Sequence, residues 1–312
     1  MALPINPTEI YNAGKKFEDE RARSLSIALV IDPLAPDDLI YEIRQAFVPM
    51  TVRARVATEV VEPGTRVSLP GYLDFAVVLL GEASCSAEGA GDPLTEQIRA
   101  TVADLVSRDV PVALVSRGGP KQAIAARFGT GILDVLTGTP EDRVVDLVAT
   151  WCADNVADGR LALASNFEFA RHSVALEYVK ATSLQNAVVG GVLFVPGADL
   201  PVMTLNQIKM VLQIAATYNQ PLSSARIKEI AVVVGGAFFW RTLARQAIGL
   251  VPVISIPIKA AIGYSGTYAM GRAVVEYFER GGSIVDLGPD LAKMKDRILS
   301  EADSLRHRMV DK

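Results

Sequence analysis

Few side chains in this 312-residue chain are of a type and spacing that perform chemistry. The two histidines are His172, in a helical stretch after Phe167-Glu-Phe-Ala-Arg171, and His307, in a charged tail. Neither stands in a Ser-His-Asp order or beside a nucleophile, and no carboxylate pair or metal-ligand spacing rises above chance. No catalytic residue, metal site or cofactor is therefore expected. Cys85 and Cys152 lie far apart without metal spacing and read as reduced thiols. Asp199 sits in a proline-flanked turn ahead of Thr204. It reads either as an ion or proton site in apolar surroundings or as a turn and capping residue paired with a nearby cation. Lys209, Arg245, Lys259 and Arg272 are cations in an apolar stretch. They suit anionic lipid headgroups or a partner protein, or equally ion pairs with Asp199, Glu229 or Glu276.

The segments that carry these residues differ in character. Half of the chain is hydrophobic and its net charge is −4, which gives no case for nucleic acid as a partner. Between Ala181 and Phe278 only ten of ninety-eight residues are charged, seven of them basic. Glycine pairs and prolines cut this run into short pieces, none of them an ordinary membrane span. The pieces read as closely packed helices, or as helices laid against a bilayer. One, Thr204–Tyr218, has Asn206, Lys209, Gln213 and Thr217 on a narrow polar stripe and a wide apolar face. Gln246–Ile258, thirteen uncharged residues with two prolines, fits a re-entrant hairpin or a buried helix pair.

Upstream, a polar helix is expected from Thr8 to Arg23. Buried strands follow at Ser24–Ile31, Asp74–Leu80 and Val110–Val115, with an alternating strand at Thr51–Ala57 and short ones at Thr65–Gly71 and Ile132–Leu136. Helices are expected at Leu39–Phe47, Pro93–Arg108, Gln122–Phe128 and Pro140–Asn155. Near-continuous apolar strands alternating with helices imply an α/β unit with a mostly parallel sheet covered on both faces.

In element order, residues 24–155 resemble the Era-like branch of small GTPase domains. The resemblance places Asp32-Pro33-Leu34-Ala35-Pro36-Asp37-Asp38 at the phosphate loop, Leu69-Pro70-Gly71 at the Asp-x-x-Gly turn and Ser116-Arg117-Gly118-Gly119 at the guanine-reading loop. Each site is degenerate. The first has two prolines that remove N–H donors, three carboxylates facing a polyanion's place, and neither Lys nor Gly. The second lacks the metal-binding Asp, and the third lacks the Asn and Asp that contact guanine. Residues 165–280 are similar to the helical domain of unknown function of the YcjF-like family. The similarity lies in Phe194-Val-Pro-Gly-Ala-Asp-Leu-Pro-Val-Met-Thr-Leu-Asn-Gln-Ile-Lys-Met210, Arg245-Gln246, Leu250-Val-Pro-Val253 and Tyr268-Ala-Met-Gly-Arg-Ala-Val-Val-Glu-Tyr-Phe278. That family implies a bacterial protein, a helical domain with membrane affinity, and a GTPase acting in cis or in trans.

The expected fold class is thus α/β plus all-α. It comprises an N-terminal helix (1–23), a degenerate GTPase-like domain (24–157), a compact apolar helical domain (158–281) and a charged C-terminal helix (282–312). The expected function is a non-enzymatic pseudo-GTPase adaptor or scaffold that docks a true GTPase or self-associates. The start of the sequence lacks the pattern of a secretory signal. A cytoplasmic protein, peripheral or partly inserted at the inner membrane, is expected. The alternatives are a membrane-active oligomer that shapes or permeabilises bilayers, and a GTPase with an unorthodox nucleotide site.

Overall fold

The computed structural model describes residues 7–85, 91–128, 133–138, 143–192, 200–223 and 256–282. The chain divides into two compact units, Glu20–Val174 and Met1–Asp19 with Ala175–Lys312. The coarse expectation holds: a parallel α/β unit, and a helical unit.

After helix α1 (Pro7–Arg21) come β1 (Leu25–Ile31), α2 (Asp37–Ala46), β2 (Ala54–Val60), β3 (Phe75–Leu79), α3 (Glu82–Cys85) and α4 (Pro93–Ser107). They are followed by β4 (Val112–Ser116), α5 (Lys121–Phe128), β5 (Leu133–Thr137), α6 (Val144–Asn155) and α7 (Arg160–Asn166). The five strands form one sheet in the order β2-β1-β3-β4-β5, and every pairing is parallel. Strands β3 and β4 are buried along their whole length, which is why their sequences are apolar without alternation. Ala28, Val30, Ala76, Val78, Val112 and Leu114 pack against Leu94, Ile98, Val102 and Leu105 of α4 and Ile124 and Phe128 of α5. Helix α4 forms where its sequence says it should. Asp92 caps it, accepting a hydrogen bond from Thr95 N at 3.0 Å, and Pro93 opens its first turn.

Three expectations in this unit are corrected. The strand expected at Thr51–Ala57 begins three residues later, because Met50 N donates to Asn166 O at 2.9 Å and Thr51 Oγ1 to Asn166 Oδ1 at 2.5 Å. These bonds hold the chain in a turn before Ala54. Thr65–Gly71 is not a strand but part of the connection from β2 to β3. Residues 158–174, expected with the helical half, belong to the sheet unit. Phe167 is fully buried there, its ring 5.4 Å from that of Phe47, and Phe47 in turn lies 6.1 Å from Phe75 of β3.

The helical unit contains α8 (Arg171–Val192) from Ala175 onward, α9 (Leu200–Thr217) and α10 (Ile256–Glu279). Helix α9 buries Ile208, Met210, Val211, Leu212, Ile214 and Ala215, and α10 buries Val274, Val275 and Phe278. Glycines let α10 approach α8. A Cβ on Gly263 would lie 2.6 Å from the Asn186 carbonyl oxygen, and one on Gly271 2.6 Å from both methyls of Val179. The polar side chains pair inside the unit. Thr267 Oγ1 accepts from Asn186 Nδ2 and Gln207 Nε2, each at 3.0 Å, and Asn186 Oδ1 accepts from Asn206 Nδ2 at 2.9 Å. Because the atom that Gly263 meets is backbone, Gly263→Ala is expected to destabilise the unit by about 2 kcal/mol. Chemical denaturation checks this, and a loss below a few tenths would show that the helices part easily.

The expected attachment of this half at the inner membrane is corrected as well. Among the described residues, no helix is long and apolar enough to cross a membrane. Helices α8, α9 and α10 bury Val174, Val179, Ile208, Val211, Leu212, Val274 and Val275, while Leu184, Val188, Val202 and Tyr264 stay exposed. Most of Gln246–Ile258, and the C-terminal helix expected at Pro289–Lys312, lie outside the described residues.

Candidate functional site

In this strand order the connections reverse direction between β1 and β3. Doubly wound sheets bind ligands beyond the carboxyl ends of the strands at that point. The loop after β1 and the loop after β3 meet there, and the chain itself occupies the crevice. Asp32 is fully buried. Its Oδ2 accepts hydrogen bonds from Gly81 N at 2.8 Å and Ser84 Oγ at 2.7 Å, and its Oδ1 from Leu34 N at 2.9 Å. The Leu34 backbone closes over Gly81 so tightly that a Cβ there would lie 2.6 Å from the Leu34 carbonyl oxygen. The donors that a bound anion would seek are taken by an internal carboxylate. Ser84 in turn lies 3.4 Å from Thr95 Oγ1, at the start of α4.

The third cluster is also structural. Arg117 Nη2 donates to Glu42 Oε2 at 2.6 Å, its Nε lies 3.0 Å from Asp38 Oδ2, and Glu42 Oε1 accepts from Val145 N at 3.1 Å. One guanidinium thus ties the loop after β4 to α2, and through Glu42 to the first turn of α6. Ser116 Oγ donates to Gly118 O at 2.8 Å, across a turn where Gly118 and Gly119 both take positive φ. Asp37 and Asp38 form the first turn of α2, where negative charge favours the helix N-terminus, and Pro36 is its N-cap. Pro33 lies between Asp32 and the Leu34 N–H that Asp32 binds.

Leu69-Pro70-Gly71 does not join this group. The carbonyls of Pro70 and Gly71 accept from Arg108, beyond the end of α4, at the amino edge of the sheet. A cleft of about 400 Å³ opens at that edge, lined by Arg23, Tyr72, Asp74 and Arg108 among others. Asp74 there is saturated, accepting from Arg23 Nη2 at 2.7 Å, Tyr72 Oη at 2.9 Å and Ser26 N at 2.8 Å. The turn at the carboxyl end of β2 is Val61-Glu62-Pro63-Gly64, closed by Thr65 N to Glu62 O at 3.1 Å, with Gly64 at φ +77°. Alternation alone does not reveal it, because Thr51–Ala57 alternates as well as Ala54–Val60 does.

Cys85 neighbours the filled crevice. Burial pushes its thiol up from the ordinary value, while a hydrogen bond with Ser116 pulls the other way. Cys152 is fully buried and pushed up further by burial alone. Among the described residues, no three or more His, Cys, Asp or Glu side chains are grouped to hold a metal ion. Of the candidates in the helical half, Lys209 pairs with Glu9 of α1 at 2.6 Å. Arg272 is exposed on α10, and Glu276 pairs with Arg280 rather than with it. Lys259 belongs to α10, but its side chain is outside the described residues, as are Asp199 and Arg245. Sequence reasoning missed Gly81, Ser84 and Glu42. The one available signal was the small Gly81 directly after a buried strand.

No family model matches this chain, and no solved structure matches it. Magnetosome membrane protein 22 of Magnetospirillum gryphiswaldense is 27% identical to it over 115 residues, 33% of this chain. The match spans only 57% of that protein's length.

Proposed function

We propose that this chain is a non-enzymatic adaptor of the pseudo-GTPase kind, whose α/β unit docks a GTPase or a second copy of itself and takes no nucleotide. The observation that carries this reading is the Asp32 carboxylate, buried at the switch point and holding the N–H and O–H donors of both flanking loops. A phosphate brought within about 4 Å of it would meet a repulsion of roughly 4 kcal/mol per unit charge at an effective dielectric of about 20. Two further features support the reading. Val61, buried in the core, stands where an Asp-x-x-Gly motif after β2 would begin. Arg117 is engaged by Asp38 and Glu42 where a base-reading residue would face outward.

Titration of the full chain with fluorescent GDP and GTP in the presence of Mg²⁺ tests the proposal. The expected result is no saturable binding tighter than about 1 mM. A dissociation constant near 1 μM would overturn the adaptor reading and favour a GTPase with an unorthodox site.

A further inference from the structure

Strand β2 ends the sheet, and among the described residues nothing pairs with its outer side. Leu25 N donates to Arg53 O and Val61 N to Ile31 O, so odd-numbered residues turn their backbone groups toward β1. By the alternation of a strand, Ala54, Val56, Thr58 and Val60 point theirs outward. No hydrogen bond reaches those outward groups among the described residues. An open edge is usually blunted by proline, a bulge or repeated charge of one sign. Here none of these is present: all seven residues pair in unbroken register with β1, and the charges are Arg55 and Glu59.

We propose that this edge binds the same edge of a second copy, antiparallel, about a two-fold axis at Ala57. This rests on the docking role proposed above and narrows the partner to the chain itself. The register is the one that strand parity permits. Ala54 would pair with Val60 of the second copy and Val56 with Thr58, all of them residues whose N–H and C=O face outward. These four symmetric pairs are hydrogen-bonded pairs that exchange both bonds. Ala57 would face Ala57 at a non-hydrogen-bonded position, where strands approach closest and a small side chain fits.

In the same register, Arg55 stands directly opposite Glu59 of the second copy, and Glu59 opposite its Arg55. A two-fold interface requires such self-complementarity, and directly opposed unlike charges stabilise strand pairs. Neither side chain has an ion-pair partner among the described residues. Val60, 53% exposed, would be covered against Ala54. The dimer would join two five-stranded sheets into one.

Analytical ultracentrifugation of the full chain tests this with Arg55→Glu and Glu59→Arg. Arg55 is exposed and Glu59 half-buried at the edge, so both variants are expected to melt like the parent. Each variant alone opposes like charges at both ends and should dimerise roughly tenfold more weakly than the parent or worse. An equimolar mixture places Glu against Arg at both ends again, and should recover parental association as heterodimers. A parent that stays monomeric, single variants that dimerise unchanged, or a mixture that recovers nothing each overturn the proposal. The nucleotide titration is independent of this result. Tight nucleotide binding beside an intact, charge-dependent dimer would sink the adaptor reading alone, whereas a monomer without nucleotide affinity would sink the dimer alone.

Discussion

Replacing Asp32 with alanine is expected to lower the stability of the α/β unit by about 3 kcal/mol. The side chain is fully buried and accepts three hydrogen bonds, two of them from backbone N–H groups of loops that belong to different strands. Alanine leaves the Gly81 and Leu34 N–H groups without their acceptor in a space too tight for Gly81 to take even a methyl. Ser84 has a fallback in Thr95 Oγ1, 3.4 Å away, so its share of the loss is small. Ser84→Ala alone should therefore cost only about 1 kcal/mol, and the two substitutions together less than their sum. Asp32→Asn should fall between, because it keeps one acceptor oxygen but turns an NH₂ toward one of the donors. Unfolding by denaturant, followed through Trp151 in a Trp240→Phe background, reads this unit, since the Trp151 indole N–H donates to Asp134 Oδ2 at 2.7 Å within it. A loss below about 0.5 kcal/mol for Asp32→Ala would mean that the carboxylate does not hold the crevice closed, and the proposed function would lose its carrying observation.

Phe167→Ala is expected to cost about 4 kcal/mol, the largest single-residue effect proposed. The ring is fully buried between Phe47 at 5.4 Å and Phe169 at 6.2 Å, and Phe47 continues the contact to Phe75 of β3. Deleting it opens a cavity among aromatic rings that cannot collapse without moving the end of α2. The same experiment tests where the sheet unit ends. If residues 158–174 belong with the sheet, hydrogen exchange should show β1 and β3 amides losing protection together with α7. If they belonged with the helices, the sheet amides would keep their protection. Phe167→Leu, which fills most of the space, should recover more than half of the loss.

The Phe167 result bears on how much of this architecture could be read from sequence. Strands β1, β3 and β4 were legible because strands covered on both faces need unbroken apolar runs, such as Phe75-Ala-Val-Val-Leu79. Helix α4 was legible because its apolar positions repeat at helical spacing behind an Asp-Pro start. Alternation alone puts β2 three residues early, because Thr51–Ala57 alternates as well as Ala54–Val60 does. The choice was made by Asn166, more than a hundred residues away, which holds Met50 and Thr51 in a turn. Phe167 reads as part of the helical half (158–281) because its burial depends on rings from α2 and β3 that no local pattern reveals.

The candidate site divides in the same way. That the loop after β1 is hostile to phosphate was evident from three carboxylates, two prolines and no lysine or glycine, since residue type alone decides charge and donor count. What those residues do instead depends on what lies opposite them. The sheet order brings Gly81 and Ser84 to Asp32, and Asp38 and Glu42 to Arg117. It also sends Leu69-Pro70-Gly71 to the opposite edge, because strand direction, not distance along the chain, determines which loops share an end. By itself the sequence determined the elements of the core and the chemistry their loops refuse. Only the tertiary structure decided which loops meet, which carboxylate fills the crevice and which strand is left as an edge, because these follow from pairings between segments tens to more than a hundred residues apart.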